Sequence, residues 1–521
     1  MNEIKQYFDT AVYLPNYEPV SLERLWNNEG SGWLICGDFW GIQKFIFEGL
    51  SNKNAAKVLR AKSAFVELFT EYVAHYICHL LNIEPVHIIA KNAGKFEILS
   101  PVKPDITSIQ EKIDRYFIEQ FFGLSGMSVC AVETSSPVFI SEKAYLALRN
   151  DLSREIEYKK YEKFSLTHTS ALLAYDTGID NQTLCPICNI RKITTKEHCH
   201  ICNSFVNLGK LLAIDSVEEL VSSSDVGIES NYFDDFTCEL RFDVRLKSYM
   251  QYESEDGQRI PASFETLAKS SCHGDGENGL KTLAVLKADA DHMGRFIRNS
   301  DVTASFESFD LFSKGMDAFF SIHIAEVMRE RYPNTYTVFG GGDDLFIVGA
   351  WDEVLALARE VHDDFACYVK GKLSLSCGIT LAKPATPISF LAEYTENLLE
   401  DAKEIDDQKD ALSMFGETVK WKDYTACLSS LIPVLESQER ITALKTAWLY
   451  RILELAEMSK RVKYEGNIED TIWRSKLSYS ISRNVEKAAE SFRKGLDEAI
   501  LRYPKETKLV IMEFIYKRRK I

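Results

Sequence analysis

Apolar and polar positions in the second half of the chain predict a sheet covered by helices. Residues 283–286 form a short apolar run typical of a buried strand, and residues 373–379 are predicted to form another strand. Residues 336–348 place β-branched and aromatic side chains around a Gly-Gly-Gly-Asp-Asp segment. That composition predicts a β-hairpin with its tip at the glycines. Two apolar stripes at helical spacing predict helices that pack on this sheet. The stripes are Phe309, Phe312, Met316, Phe319, Phe320, Ile324 and Val327, and Val354, Leu357, Val361, Phe365 and Tyr368.

The rest of the chain divides where its composition changes. Residues 417–521 contain many Leu, Ala, Lys, Glu and Arg and few helix breakers, which predicts a small helical bundle. Residues 207–220 also have helical character, whereas residues 272–279 are rich in turn formers and indicate a boundary. We therefore predict four domains, which are residues 1–139, 140–270 (mainly helical), 271–416 and 417–521.

Acidic residues lie where two of the predicted strands end. Asp289 and Asp291 follow the first strand, and Asp343 and Asp344 lie at the hairpin tip. Carboxylates from neighbouring strands can hold two divalent cations roughly 3.5–4 Å apart, as in a two-metal nucleotidyl-transfer site. Lys403, at the end of a predicted helix, is a cation that could meet a triphosphate. Gly-Asp turns are also common in hairpins without catalytic roles, so an ordinary turn is the alternative.

Four of the twelve cysteines form two closely spaced CxxC pairs. Each pair can present two thiolates to one ion, so the spacing predicts a closed, tetrahedral, structural zinc site, with a redox pair as the alternative. We place the neighbouring His198 and His200 outside the ligand set, because four thiolates complete the shell. We expect most other cysteines to be buried thiols of a reducing compartment. The predicted zinc ligands are Cys185, Cys188, Cys199 and Cys202.

These motifs, in this order, resemble the large subunit of type III CRISPR effector complexes, the CRISPR polymerase family. They are the strand ending at Asp289, GGDD followed by Leu-Phe-Ile-Val, the Ser376-Cys377-Gly378 segment, and an Ala-Lys…Phe-Gly segment that includes Lys403. Residues 37–46 are similar to the family's D-x-S-G-I-Q-x-F-I run, with Trp40 where serine is usual, and residues 59–65 resemble its L-R-A-R-S element. The resemblance implies an α+β fold with two ferredoxin-like palm domains of the nucleotide cyclase type. It also implies a zinc-containing, mainly helical insertion and a C-terminal helical bundle.

The same resemblance implies an enzyme of antiviral defence. Target RNA would activate it to join ATP through 3′–5′ linkages into cyclic oligoadenylate, with Asp289, Asp343 and Asp344 holding two Mg²⁺ or Mn²⁺ ions. The residues expected to contact nucleotide are Ala290, Gly341, Gly342, Ser376 and Lys403. Three alternatives stay open: transfer of AMP to another acceptor such as S-adenosylmethionine, a cyclic dinucleotide synthase, and a catalytically silent scaffold.

A weak internal repeat indicates that the palm occurs twice. Asp38 precedes Gly94 by about the same length of chain as Asp289 precedes Gly342. The first tip reads Ala-Gly-Lys-Phe and has no carboxylate, so we predict that residues 1–139 form a non-catalytic palm. Lys95 at this tip either binds the phosphate of a second nucleotide or is an ordinary turn lysine.

The net charge of −16 argues against a chain that grips RNA alone, because phosphate binding normally needs a basic face. The resemblance implies that guide and target RNA are held mainly by partners, namely the small subunit and the guide-end repeat-binding subunit. No apolar run reaches the roughly 18 residues of a membrane span, and the N-terminus lacks a signal-peptide pattern, so we expect a cytoplasmic protein.

Many members of the family carry an N-terminal HD nuclease domain. Because the first palm signature begins by Asp38, we expect no such domain and no HD-type DNase activity. The His362-Asp363 dipeptide lies in an amphipathic helical pattern without other metal-ligand histidines, so we expect it on a helix surface.

Overall fold

A computed structural model describes residues 19–47, 50, 55–92, 94–162, 184–214, 225–243, 249–255, 258–272 and 279–519. The strands are β1 (Ser31–Trp40), β2 (Ile88–Asn92), β3 (Lys95–Ser100), β4 (Gly126–Ser135), β5 (Asp225–Phe233), β6 (Phe236–Asp243), β7 (Tyr252–Glu255), β8 (Gln258–Pro261), β9 (Leu283–Ala290), β10 (Thr335–Gly341), β11 (Asp344–Ala350), β12 (Leu375–Ala382), β13 (Ala411–Met414) and β14 (Glu417–Lys420). The helices are α1 (Ile42–Phe47), α2 (Ala55–Leu80), α3 (Ile106–Phe121), α4 (Glu142–Tyr161), α5 (His200–Ile214), α6 (Phe264–Ser270), α7 (Met293–Asn299), α8 (Phe306–Ala318), α9 (Ile324–Arg331), α10 (Trp351–Tyr368), α11 (Ile388–Lys403), α12 (Trp421–Ile441), α13 (Thr446–Glu465), α14 (Trp473–Asn484), α15 (Glu490–Arg502) and α16 (Pro504–Arg518).

Two sheets organise the molecule, and they share a strand order. The first has four strands in the order β2-β3-β1-β4, all antiparallel. The second has six strands in the order β10-β11-β9-β12-β13-β14, of which the first four are antiparallel neighbours. Helices follow corresponding strands in both, since α3 joins β3 to β4 as α10 joins β11 to β12. The weak sequence repeat is therefore visible as a repeated topology.

The predicted helical stripes pack as expected. The first lies on α8 and α9, which a π-helical turn at Phe319–His323 joins, and the second lies on α10. Ser305 caps the first of these helices by accepting a hydrogen bond from the Ser308 amide. All of the stripe residues are buried except Phe309, which is partly buried. The periodicity prediction for this unit is confirmed.

The two faces of the second sheet enter different cores. Ala284, Leu286 and Ala288 of β9 pack with α8, α10 and the C-terminal helices. Leu283 and Val285 point the opposite way and pack in the cluster that contains α1, α2 and the first sheet. Because successive strand residues point to opposite faces, Asp289 lies on the face turned toward the first sheet's unit.

The middle segment is less helical than the sequence indicates. Besides α4, α5 and α6, it contains two hairpins, β5-β6 and β7-β8. The first is held by aromatic packing, because Phe233 lies 4.9 Å from the Tyr76 ring of α2 and its amide donates to the Tyr72 hydroxyl at 3.0 Å. The helix predicted at 207–220 is present to Ile214, and residues 215–220 lie outside the described residues. Turn-rich residues 273–278 also lie outside them.

The C-terminal segment is helical as predicted from Trp421 onward, in the helices α12 to α16, whereas residues 417–420 form strand β14 of the second sheet. These helices join the core of the second sheet and add one buried ion pair. Arg359 of α10 donates two hydrogen bonds to the Glu513 carboxylate of α16, at 3.0 and 3.2 Å, and one to the Tyr424 hydroxyl at 2.9 Å. Only 2% of the Glu513 side chain is exposed, so this charge depends on its partner. Within the described residues, no helix is long and apolar enough to cross a membrane.

We predict that Arg359→Met lowers the free energy of unfolding by about 3 kcal/mol, because it leaves a buried carboxylate with Lys517 as its remaining cation. Urea unfolding of the purified chain measures this. Arg331→Met is the matched control, since Arg331 is half exposed in its pair with Glu360 and should cost less than about 1 kcal/mol. Equal losses in the two variants would contradict the prediction.

Candidate active site and zinc centre

The strand register brings two of the predicted carboxylates together. Asp289 at the end of β9 is the direct antiparallel partner of Asp344, the first residue of β11. The hairpin turn lies between Gly341 and Asp344, which face each other, and its backbone is tied to β9 by a 3.0 Å hydrogen bond from the Ala290 amide to the Asp343 carbonyl. Asp343 itself occupies the turn. Antiparallel neighbours on one face have Cβ atoms about 5 Å apart, which suits two ligands of shared cations.

Asp344 has one satisfied oxygen and one without a partner. Its Oδ2 accepts a 3.3 Å hydrogen bond from Gln43 Nε2 of α1. Its Oδ1 is buried and has no hydrogen-bond partner in the structure. An unpartnered buried carboxylate oxygen is costly, and a divalent cation is the ligand that would remove the cost. The donor set therefore fits Mg²⁺ or Mn²⁺.

Burial controls the protonation of these carboxylates. It raises the pKa of Asp289 to about 6, although the neighbouring Lys403 ammonium lowers it. Burial likewise raises the pKa of Asp344, against the opposing effect of Lys287. Lys287 is itself buried, which lowers its pKa, and it pairs with Glu396 of α11. The site thus holds excess negative charge in a poorly solvated place.

Lys403 and Gly342 lie where the sequence placed them relative to the carboxylates. Lys403, the last residue of α11, forms an ion pair with Asp289 Oδ2. Gly342 has a φ of +68°, which favours glycine, and no atom lies within 4 Å of the position a Cβ would take. The hairpin tip is therefore open to a ligand.

Ser376 lies inside the protein beside Asp289. It is fully buried and is the register partner of Asp289 on β12. Its hydroxyl donates to Asp291 Oδ2 at 2.9 Å, which also accepts from the Ser374 hydroxyl and the Asp410 amide. The Ser376 hydroxyl thus fixes Asp291 inside the protein, and a contact between Ser376 and nucleotide stays a prediction. Asp291 anchors the loop after β9.

The first sheet has a neutralised version of the same constellation. Asp38 is the register partner of Lys95 and of Ser128, just as Asp289 is the partner of Asp344 and Ser376. Asp38 pairs with Lys95 at 3.4 Å and with Lys160, near the end of α4, at 2.9 Å. Lys95 remains 62% exposed.

His362 is not on an open helix surface. Its Nε2 lies 2.9 Å from Asp410 Oδ1, its Nδ1 lies 3.0 Å from Asp363 Oδ1, and its ring stacks on Trp421 at 4.6 Å. The expected surface position holds for Asp363, whose side chain is 70% exposed, whereas Trp421 and the loop after α11 cover most of the His362 imidazole. These contacts explain the residue structurally.

The four predicted zinc ligands come together. The sulfur atoms of Cys185, Cys188, Cys199 and Cys202 all lie within 4.8 Å of one another and are buried. In the part of the chain that the structure describes, no other three His, Cys, Asp or Glu residues are gathered so closely, so the three aspartates are more widely spaced. His198 is buried outside the cluster and His200 is exposed. Most of the remaining cysteines are buried as expected, except that Cys238 and Cys272 are partly buried and Cys367 is exposed.

Comparisons with known proteins agree with the two-unit organisation. Residues 282–413 match the family model for the second palm domain of Cas10/Cmr2, and residues 32–177 match Csm1 subunit domain B. A relative from Methanocaldococcus jannaschii is 26% identical, covering 80% of this chain and 64% of the relative, and one from Streptococcus thermophilus is 24% identical, covering 83% and 64%. Both are named CRISPR system single-strand-specific deoxyribonuclease Cas10/Csm1, subtype III-A. The chain is therefore similar to Cas10/Csm1 proteins over most of its length.

The resemblance stated from the sequence is confirmed, and the chain spans about 64% of the length of these two relatives. Solved Csm1-Csm4 cassettes share the fold. The apo cassette matches with a TM-score of 0.68 at 19% identity, covering 96% of this chain and 71% of that one. A cassette in complex with cA4 matches with a TM-score of 0.64 at 20% identity, covering 91% and 70%. One in complex with one ATP has a TM-score of 0.67 at 20% identity, covering 97% and 72%.

We predict that Asp289→Asn stabilises the metal-free protein at pH 8 by about 2 kcal/mol. The folded state raises the Asp289 pKa from 3.8 to about 6, so ionisation costs folding free energy. That cost is absent below about pH 4 and complete above about pH 6, and the substitution removes it. Urea unfolding with chelator at pH 4 and pH 8 measures the gain.

Asp151→Asn is the control for this measurement, because Asp151 lies half exposed on α4, away from the hairpin. It should change stability by less than about 0.5 kcal/mol at either pH. A gain from Asp289→Asn that was equal at pH 4 and pH 8 would contradict the electrostatic origin.

We predict that this protein binds one zinc ion through the cysteine cluster. Replacing Cys185 and Cys188 with serine should abolish zinc binding and lower the thermal unfolding temperature, because the ion that ties the two knuckles together would be lost. Metal analysis and thermal unfolding of protein purified without chelator measure both effects. The exposed Cys367→Ser control should retain the zinc, and zinc retention in the double variant would refute the ligand assignment.

Proposed function

We propose that this chain acts as the large subunit of a type III CRISPR effector complex and synthesises cyclic oligoadenylate from ATP when target RNA is bound. The observation that carries the proposal is the buried pairing of Asp289 with Asp344 at the tip of a GGDD hairpin. The fold of Csm1-Csm4 cassettes that bind cA4, cA3 and ATP supports it. We interpret the two repeated sheets as two ferredoxin-like palms, of which the second is catalytic.

Each part of the proposed site has a defined task. Asp289, Asp343 and Asp344 would hold two Mg²⁺ or Mn²⁺ ions, which when bound can activate a hydroxyl and support the leaving pyrophosphate. Lys403 holds its ammonium beside Asp289 and is placed to neutralise phosphate charge as the donor nucleotide enters. The open left-handed turn at Gly342 lets phosphate approach the backbone.

Lys95 is proposed as a contact to a second nucleotide. Its ammonium is 62% exposed while it pairs with Asp38, so a phosphate could reach it without unfolding the strand. The proposed protein partners are the small subunit and the guide-end repeat-binding subunit, and the fold shared with Csm1-Csm4 cassettes supports a partner subunit of an effector complex. Guide and target RNA would be held mainly by these partners, since the chain carries a net charge of −16.

The alternative functions differ from the proposed one in the products they would give. Transfer of AMP to S-adenosylmethionine would use the same carboxylates but give a product with one adenylate and a different acceptor. The curated relatives are named deoxyribonucleases, whereas the absence of HD-type DNase activity from this protein stays a prediction. A silent scaffold would make no nucleotide product from ATP, with or without target RNA.

We predict that replacing Asp343 and Asp344 with alanine abolishes oligoadenylate formation, by at least about a hundredfold, while assembly and RNA binding persist. The strands remain paired through their ladders and through buried Val338, Phe346 and Val348. Product analysis of the assembled complex with labelled ATP and matching target RNA measures the loss.

The chain offers a matched control in Asp234 and Asp235, an adjacent exposed aspartate pair at the tip of the β5-β6 hairpin. Replacing both with alanine should leave product formation within about twofold of the unchanged protein. Unreduced product from the Asp343 and Asp344 variant would disprove the site. A product containing AMP and another acceptor in the unchanged protein would favour the alternative transferase.

A further inference from the structure

One side chain of the first unit reaches into the carboxylate site of the second. Gln43 lies on α1, directly after the first strand of the first sheet, and its Nε2 donates to Asp344 Oδ2 at 3.3 Å. The two residues are 301 positions apart in sequence. A carboxylate only accepts hydrogen bonds, so the amide nitrogen, rather than its oxygen, must face Asp344.

This bond leaves Asp344 with a defined free oxygen. Its Oδ2 is occupied by the amide, whereas Oδ1 is buried and has no partner in the structure. A carboxylate held through one oxygen cannot rotate freely about its last torsion. The other oxygen therefore has a fixed direction, as hydrogen-bonded ligating carboxylates have in metal sites.

The packing of α1 fixes the position of Gln43. The helix starts after Gly41, whose φ of +73° turns the chain sharply out of β1. Phe47 at its other end lies 4.5 Å from the ring of Phe346 on β11, the strand that carries Asp344. Phe45 packs within the first unit, 5.6 Å from Phe39. Because α1 is held by both units, the amide keeps its place relative to the hairpin.

The Gln43 amide is uncharged, which preserves the negative charge of Asp344. In the first sheet, Asp38 is paired with two lysines, which cancel its charge. Gln43 orients Asp344 without cancelling its charge, so the attraction for a cation is retained. The position corresponding to Gln43 in the second unit, counted from Asp289, is Gly294, which has no side chain. The first unit therefore contributes a side chain to the aspartate site of the second unit, whereas the corresponding residue of the second unit has no side chain to contribute to the first.

We propose that Gln43 is a positioning residue for the catalytic metal, contributed by the first unit to complete the ligand geometry of Asp344. The inference rests on the proposed function and adds a role for the non-catalytic unit. Gln43 touches neither nucleotide nor metal in this role, and acts through the Asp344 carboxylate.

The test compares metal affinity in three variants of the full chain. Free Mn²⁺ is followed by electron paramagnetic resonance as it is titrated, and Asp344→Asn identifies the part of the binding that belongs to this site. Gln43→Met keeps the side-chain length but removes the donor, and should weaken Mn²⁺ binding at this site about tenfold, since hydrogen bonds to charged groups contribute appreciably. Ser313→Ala is the control, because it removes another hydrogen bond between the units, from Asn92 at 2.9 Å.

Product formation in the assembled complex gives a second readout. In Gln43→Met, the Mn²⁺ concentration for half-maximal rate should rise about tenfold, while the rate at saturating Mn²⁺ returns to within about twofold of the unchanged protein. A general loosening of the contact between units would instead lower the saturated rate and would affect Ser313→Ala as well.

The outcomes separate the inference from the proposed function. If Asp344→Asn loses metal and product while Gln43→Met binds Mn²⁺ as the unchanged protein does, the positioning role is wrong and the proposed function stands. Equal weakening in Gln43→Met and Ser313→Ala also overturns the positioning role. If Asp344→Asn neither loses metal nor loses product, both ideas fail.

Discussion

Two carboxylates face each other across neighbouring strands, and this opposition governs the structure of the site. Asp289 and Asp344 are antiparallel partners on a partly buried face, where low solvation strengthens their repulsion. The surrounding elements bring compensating groups to them: Lys403 from the end of α11, Lys287 from β9 itself and Gln43 from α1. Compensation is incomplete, since the pKa of both carboxyls is still raised and one oxygen has no partner.

In the first unit, by contrast, the charge of the corresponding aspartate is fully balanced by lysines. In the first sheet the register partner of the aspartate is Lys95 instead of a carboxylate, and Lys160 of α4 reaches the same Asp38. Lys160 and Lys403 occupy corresponding places, each near the end of the helix after the fourth strand of its unit. Two differences at the hairpin tip, Gly94-Lys95 in the first unit against Asp343-Asp344 in the second, therefore separate an internally neutralised aspartate from a carboxylate pair whose negative charge is not fully balanced. The proposed loss of metal binding in the first unit needs no change of fold.

Sequence patterns predicted most of what depends on local periodicity. The strands around Asp289, the hairpin tip, the two helical stripes and the cysteine cluster all follow from spacing of two, three and four residues. The sequence patterns did not predict contacts between residues that are far apart in the chain. The β5-β6 hairpin is stabilised by aromatic rings of α2, and Ser376 faces inward because Asp291 requires its hydroxyl.

Gln43 shows the same limit at the site itself. In the sequence, Gln43 is only one residue of the motif at 37–46. Its hydrogen bond to a residue 301 positions away cannot be predicted from local sequence patterns. The neutralised state of Asp38 was only partly visible, because Lys95 lies at the recognised tip whereas Lys160 lies in a helix that follows a different strand. In both cases the strand register, rather than the chain order, decides which residues meet.

The cores on the two sides of the second sheet explain how a charged, poorly solvated site can persist. One face of β9 packs with the C-terminal helices, and the other packs with the first unit and the zinc cluster. Apolar burial on this scale stabilises the strands independently of the carboxylates, so repulsion between Asp289 and Asp344 does not separate them. The same arrangement places the Gln43 amide and the Asp344 carboxylate on opposite sides of the interface between the two units. Any movement of the first unit relative to the hairpin would therefore change the geometry of the ligand before it changed the sheet that carries it.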